Sequence, residues 1–349
     1  MERRERRRWL SVAMTAAVGL LLLSCNDELS PGDEGDELQV SVTTRGVTPV
    51  TAEGTSLYIY ATTGSTYTTG RITRIDANNW RSTVSVNKGT TYYLYGFMPS
   101  DAISRSSLSL PDGVTTYAEG ALLTLEGVSV VGSDDLCVLA GVQDVSSENP
   151  ASVPIDIPMG QFEYKGKDKG KNYAHLLMVH LYSKLNFNVV VDNLYDQLRT
   201  IRLKKMELVV EGVDKVTAIV RLTPNYWKQN PVTLMAQASS ATTTTTVHAF
   251  FESSDENGDE LSANNPLSLS VQTLSSLKDR IALRSTYDIY DKSGVLVRAN
   301  QTATNKLDEA LASIASPGDQ LTLTLTVKPT YLYVLSDNDL DNPTMTIDY

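Results

Sequence analysis

Short segments in which apolar and polar residues strictly alternate constrain this chain more than any other feature. "SLYIYATT" (56–63), "STVSVNKGTTYYLYGFMP" (82–99), "VPIDIPM" (153–159) and "LTLTLTVKP" (321–329) repeat with period two. A half-buried strand needs that period and a helix does not. Asn87-Lys88-Gly89 is expected to turn a hairpin within the second segment. "AHLLMVHLYSKLNFNVVV" (174–191) is too long for one uninterrupted strand, so Ser183 and Lys184 are expected to mark a bend or bulge. "LKKMELVV" (203–210) is a further apolar run. Helical signals are few. "NKLDEALASIASPGD" (305–319) puts Leu307, Leu311 and Ile314 on one face and closes with Pro317-Gly318, and Leu194 to Leu198 suits one short turn. The pattern predicts an all-β protein with one or two short helices.

The N-terminus points to export. Arg3, Arg4, Arg6, Arg7 and Arg8 precede an apolar stretch from Trp9 to Leu23. That stretch falls short of the roughly 20 residues needed to span a bilayer and has the form of a secretory signal. Leu22-Leu23-Ser24-Cys25 resembles the bacterial lipobox, in which the cysteine is acylated and becomes the first mature residue. The acidic Asn26-Asp27-Glu28 resembles the tag that sends Bacteroidetes lipoproteins to the outer face of the outer membrane. Removal of residues 1–24 takes away five arginines and two glutamates, leaving 25 lysines and arginines against 39 carboxylates, a formal charge of −14. Such a surface repels phosphate backbones, so nucleic acid is not an expected partner. With Cys25 acylated only Cys137 remains, and its apolar neighbours suggest a buried small side chain.

Beyond the tether lie about 300 residues, enough for roughly two domains. "EYKGKDKGKN" (163–172) reads as a hairpin tip or interdomain loop, and the boundary is placed near it. Thr242 to Thr246 suits an exposed strand or a loop. Residues for catalysis are missing. His175 and His180 are five apart, on opposite faces of a strand, and His248 stands alone. No nucleophile elbow, zinc-protease motif, Cys-x-x-Cys or phosphate loop occurs. "DNDLDNPTMTID" (337–348) spaces aspartates like a calcium loop, but Asn342 stands where glycine is needed and Pro343 follows. "DENGDE" (255–260) reads as an acidic turn. Neither an enzyme nor a cofactor is expected.

"ELQVSVTTRG" (37–46) carries the sharpest functional reading. Leu38, Val40 and Val42 share one face, so the segment reads as a strand packed through one side, followed directly by Arg45-Gly46. A cut after Arg45 separates this strand and the lipid anchor from everything downstream. Three buried aliphatic side chains amount to roughly 5–9 kcal/mol of lost burial. A row of unpaired ladder groups adds to that loss. A body with such a groove favours pairing with another chain's strand. At the other end Met345, Ile347 and Tyr349 alternate, matching in number the three aliphatics removed. Two readings stand for this tail. Residues 344–349 insert into a neighbour's groove with 336–342 as a flexible lead, or they fold back as an edge strand of their own domain.

"TTRG" after an alternating strand, "YYLYGFMPSD" (92–101), "DDLCVLAGVQDVS" (134–146), "HLYSKLNFNVVV" (180–191) and "SPGDQLTLTLTVKPT" (316–330) come in the order and approximate spacing of the fimbrillins. His180 to Leu185 resembles that family's His-x-x-Ala-Lys-Leu element, with Ser183 in place of alanine. The chain thus resembles a Bacteroidetes pilin. The resemblance implies two tandem transthyretin-like β-sandwich domains, lipoprotein export, cleavage by an arginine-specific protease and polymerisation by donor-strand exchange. In that picture residues 1–24 are the signal peptide and 25–36 the acidic tether. Residues 37–165 form the N-terminal sandwich with 37–45 as its removable strand, 166–335 the C-terminal sandwich, and 336–349 the tail. The implied partners are other fimbrial subunits in a homo- or hetero-polymer, outer-membrane lipid through Cys25 before processing, and host or bacterial surface receptors. The implied location is the outer-membrane surface, then the fimbrium. The alternative is a monomeric surface-anchored lipoprotein that binds glycans or host molecules and keeps its first strand.

Overall fold

A computed structural model describes residues 35–45, 53–76, 79–132, 136–145, 161–166, 172–222, 233–238, 245–314, 317–329 and 340–348. Its architecture is all-β, with an α-helix at Asp308–Ala312 and 3-10 turns at Tyr195–Gln197 and Ser275–Arg280. Leu307 and Leu311 bury the helix against the core.

The sheet that contains the first strand runs Val40–Arg45, Tyr173–His180, Cys137–Val145, Thr91–Met98, Ser56–Thr63, Thr66–Arg74, Trp80–Ser82, and Gln161–Glu163 also pairs with Thr91–Met98. Its outermost pair, Val40–Arg45 beside Tyr173–His180, is parallel. Both faces of this sheet are covered. Leu57, Ile59, Leu94, Leu139, Leu176 and Met178 enter one core, while Tyr60, Tyr95, Phe97, Val138 and Val179 enter the other. Coverage on both sides is why these segments are richer in apolar residues than one-sided strands.

The long run from Ala174 to Val191 divides into Tyr173–His180 and Ser183–Val191. The break falls at Leu181-Tyr182, two residues before the expected Ser183-Lys184, and it is a change of sheet rather than a bulge. Leu181 N–H donates to Leu136 O at 2.8 Å, and the Tyr182 hydroxyl donates to Ser129 O at 2.8 Å. Those bonds tie the crossing point down. Ser183–Val191 then joins a second sheet, ordered Val131–Gly132, Leu267–Thr273, Ser183–Val191, Gln320–Lys328, Thr344–Asp348. A third sheet runs Thr245–Glu252, Arg199–Glu211, Ile281–Asp291, Leu296–Lys306, with Asp259–Glu260 also on Arg199–Glu211. A fourth runs Thr233–Ala238, Lys215–Leu222, Ala121–Ser129, Arg105–Ser109.

Two further expectations meet the observed pairing here. Asn87-Lys88-Gly89 does turn the chain, with Gly89 at φ 76° and Thr90 N–H donating to Asn87 O. The strands on either side of it are not partners. Ser85–Val86 pairs with Asp36–Glu37, because the edges of Thr91–Met98 are taken by Ser56–Thr63, Cys137–Val145 and Gln161–Glu163. Ladders also cross residue 165: Cys137–Val145 with Tyr173–His180, Ala121–Ser129 with Lys215–Leu222, and Val131–Gly132 with Leu267–Thr273. Asp36–Tyr349 forms one compact unit, and the sheets draw no line at residue 165. The segments 153–159 and 167–171 lie outside the described residues.

Candidate assembly site: the first strand and the closing strand

Residues 36–45 are held from two sides. On one side Val40–Arg45 runs parallel to Tyr173–His180, from Val40 opposite Ala174 to Arg45 opposite Val179. Ala174 N–H donates to Gln39 O at 2.9 Å. On the other side the lead-in grips the opposite end of the sheet. Asp36–Glu37 pairs with Ser85–Val86, Leu38 N–H donates to Val84 O, and the Glu37 carboxylate accepts from Ser82 N–H at 2.9 Å. The Tyr164 hydroxyl donates to Asp36 Oδ2 at 2.8 Å. Val40–Arg45 lies beside Trp80–Ser82, yet among the described residues its only ladder partner is Tyr173–His180. An open cleft of about 250 Å³ lies along it, lined by Leu38, Gln39, Val40, Asn79, Trp80 and Tyr173. The segment therefore seats at a seam in the sheet.

The side chains give this seat its strength. Leu38 and Val40 are 1% and 4% exposed, and Val42 packs half-buried on the same core. Two full burials and one partial one are worth roughly 4–7 kcal/mol. The ladder is parallel, the slightly weaker geometry per residue. Beneath it, Ser41 Oγ and His175 Nδ1 share a buried 2.6 Å hydrogen bond.

Burial holds the His175 imidazole below its ordinary range. A His175 freed by departure of the strand takes up a proton at a pH where the seated one does not. The strand's hold is therefore full above a pH of about 6.5 and is lost as pH falls below that value toward the seated one. The unfolding temperature of the intact chain should drop between about pH 7.5 and about pH 5.5, and less so in His175→Gln. An equal drop in both proteins would exclude His175 as the cause.

The closing strand Thr344–Asp348 lies antiparallel on Gln320–Lys328, from Lys328 opposite Thr344 to Thr324 opposite Asp348. Of the two readings open for the tail, the folded-back edge strand is the one in this structure. Met345 is buried and Ile347 half-buried. Three contacts pin the segment. The Tyr195 hydroxyl donates to Leu340 O at 2.5 Å, Arg199 reaches Asp341 Oδ1 through Nε and Nη2 at 3.1 and 3.0 Å, and Asn305 Nδ2 donates to Met345 O at 2.9 Å. Asp341, one of the aspartates of the calcium-like spacing, is thus committed to a guanidinium.

Arg45 closes the first strand, with Val179 as its ladder partner. Cys25, Gly46 and Tyr349 lie outside the described residues. Cys137 is buried, with its sulfur 3.2 Å from His180 Nδ1. Sequence reasoning missed the polar clamps on the first strand: Ser41 with His175, Asp36 with Tyr164, and Glu37 with Ser82. They join residues 134, 128 and 45 positions apart. No local pattern signals contacts of that span. Among the described residues no group of three or more His, Cys, Asp and Glu is placed to hold a metal ion.

No protein-family model matches the chain, and no curated protein matches it. Among solved structures it is similar to a fimbrial protein from Bacteroides vulgatus, at 14% identity over 88% of this chain and 98% of that one, with a TM-score of 0.43. It is also similar to a fimbrial anchor protein from Porphyromonas gingivalis, at 11% identity over 90% and 98%, with a TM-score of 0.35. At these values the likenesses carry no argument about what this chain does.

Proposed function

We propose that this chain is a structural subunit of a surface fimbria, exported as a lipoprotein acylated on Cys25 and polymerised by donor-strand exchange in support of adhesion. An arginine-specific protease cuts after Arg45 and releases the lipid anchor together with residues 36–45. The body then offers the vacated seat to a strand from a neighbouring subunit. One observation carries the reading. Leu38 and Val40 are buried in the core, Val40–Arg45 has among the described residues one ladder, the parallel one to Tyr173–His180, and the strand ends at an arginine. A cut at its end leaves the rest of the sheet intact and opens a slot of defined shape. In the polymer, Met345, Ile347 and Tyr349 are the donor side chains, delivered when the closing strand leaves Gln320–Lys328.

Sequencing the N-terminus of surface protein tests the first step. The wild type should begin at Gly46, and Arg45→Ala should begin at the acylated Cys25. A variant that still begins at Gly46 would show that this arginine does not direct processing.

A further inference from the structure

We propose that an open cleft between two turns, on residues 200–294, binds a neutral carbohydrate. Its volume is about 510 Å³, and it is lined by Thr200, Arg202, Asn257, Glu260, Tyr290 and Lys292 together with the turn that follows Tyr290. Thr200 and Tyr290 face each other across the ladder between Arg199–Glu211 and Ile281–Asp291 and form the floor.

Both walls are built in advance. In the first, Asn257 N–H donates to Asp255 Oδ1, and Gly258 N–H donates to Asp255 O, each at 2.9 Å. Gly258 sits at φ +88°, where an added Cβ would lie 2.9 Å from Leu203 O, so only glycine lets this wall close onto the sheet. In the second, Asp291 Oδ1 accepts from Ser293 Oγ, Ser293 N–H and Val295 N–H at 2.6 to 2.9 Å. The Ser293 hydroxyl, followed by the backbone donors, holds the Asp291 carboxyl below the usual carboxylate range.

The charges in the cleft are matched. Arg202 pairs with Glu260 at 3.2 Å and Asp255 at 3.7 Å, and Lys292 pairs with Asp196 at 3.6 Å. The Arg202 guanidinium lies 5.7 Å from the centre of the half-buried Tyr290 ring. A phosphate or sulfate entering here meets Glu260 and Asp291, and a metal ion meets Arg202 and Lys292. An apolar ligand leaves the polar walls without partners. A pyranoside suits what remains. Its hydroxyls both donate and accept, which engages amide, carboxylate and ammonium groups together, and its C–H face lies against an aromatic ring. None of these residues belongs to the first strand or the closing strand, so the outcome is independent of strand exchange.

Saturation-transfer NMR on the intact chain provides the test, with the neutral methyl pyranosides of glucose, galactose, mannose and N-acetylglucosamine and a sulfated galactoside as probes. Magnetisation should pass to at least one neutral sugar. Tyr290→Ala should weaken that binding by about tenfold, the equivalent of one lost aromatic contact. Glu260→Gln, at an exposed carboxylate, should weaken it with the unfolding temperature unchanged, which guards against loss of fold in the first variant. Transfer to no neutral sugar, preference for the sulfated one, or binding indifferent to both substitutions would each overturn the assignment.

Discussion

A chain that begins at Gly46 should unfold on the order of 10 °C below the intact protein, given roughly 4–7 kcal/mol of lost burial spread over a chain of this size. The loss comes from a small part of the molecule. Leu38 and Val40 leave a core they share with Leu57, Ile59, Leu176 and Met178, and the outer edge of Tyr173–His180 loses its ladder. A synthetic peptide of residues 36–45 should restore most of the difference, because it returns the apolar face and the ladder together. A peptide with Leu38 and Val40 replaced by serine should restore little. Without peptide, the truncated chain should also run as oligomers on size exclusion, since an open edge above an apolar slot recruits other strands. A truncated chain that stays monomeric with an unchanged unfolding temperature would end the proposal of strand replacement. Loss of fold that no peptide repairs would mean that the first strand is structural only.

The second large effect concerns the closing strand. Thr326 and Thr346 face each other across the ladder between Gln320–Lys328 and Thr344–Asp348, at the separation from which a disulfide can form. Thr326→Cys combined with Thr346→Cys should lock the tail in its own sheet. Oxidised, the doubly substituted and processed protein should give no high-mass ladder on an unboiled, non-reducing gel, and reductant should bring the ladder back. Deletion of residues 344–349 should abolish the ladder under both conditions. Ladders from the oxidised protein, or from the deletion, would remove the tail from the donor role. The contacts of Arg199 with Asp341 and of Tyr195 with Leu340 act in the same sense as the engineered bond. They keep the strand at home until something better than Gln320–Lys328 is offered.

Alternation made individual strands readable and left their partners hidden. Ser56–Thr63 and Gln320–Lys328 fall where "SLYIYATT" and "LTLTLTVKP" place them. A period of two reports which side chains share one face of a strand. It does not report what lies across the ladder. The hairpin expected at Asn87-Lys88-Gly89 failed for that reason. The turn chemistry is local, whereas the pairing of Ser85–Val86 with Asp36–Glu37 was decided some fifty positions away. The change of sheet at Leu181-Tyr182 is marked only by a change of pattern, from the near-continuous apolar run of Tyr173–His180 to the alternation of Ser183–Val191, and that change does not say which sheet receives the second strand. At the candidate site, the apolar face of Leu38, Val40 and Val42 was legible and the clamps on Ser41, Asp36 and Glu37 were not. Those clamps pair single polar residues with distant ones, and a lone serine or histidine has no period to betray it.

The apolar face of the first strand also acts as a measuring rule. Leu38 and Val40 occupy alternate positions above one core, so a guest that slips by a single residue turns its greasy side to water and its polar side inward. Only a segment with matching side chains two apart can settle, at an offset that keeps its apolar side inward. If each subunit accepts its neighbour in this way, the repeat distance along a fibre can change only in whole pleats, because the spacing of Leu38 and Val40 rejects every offset between them.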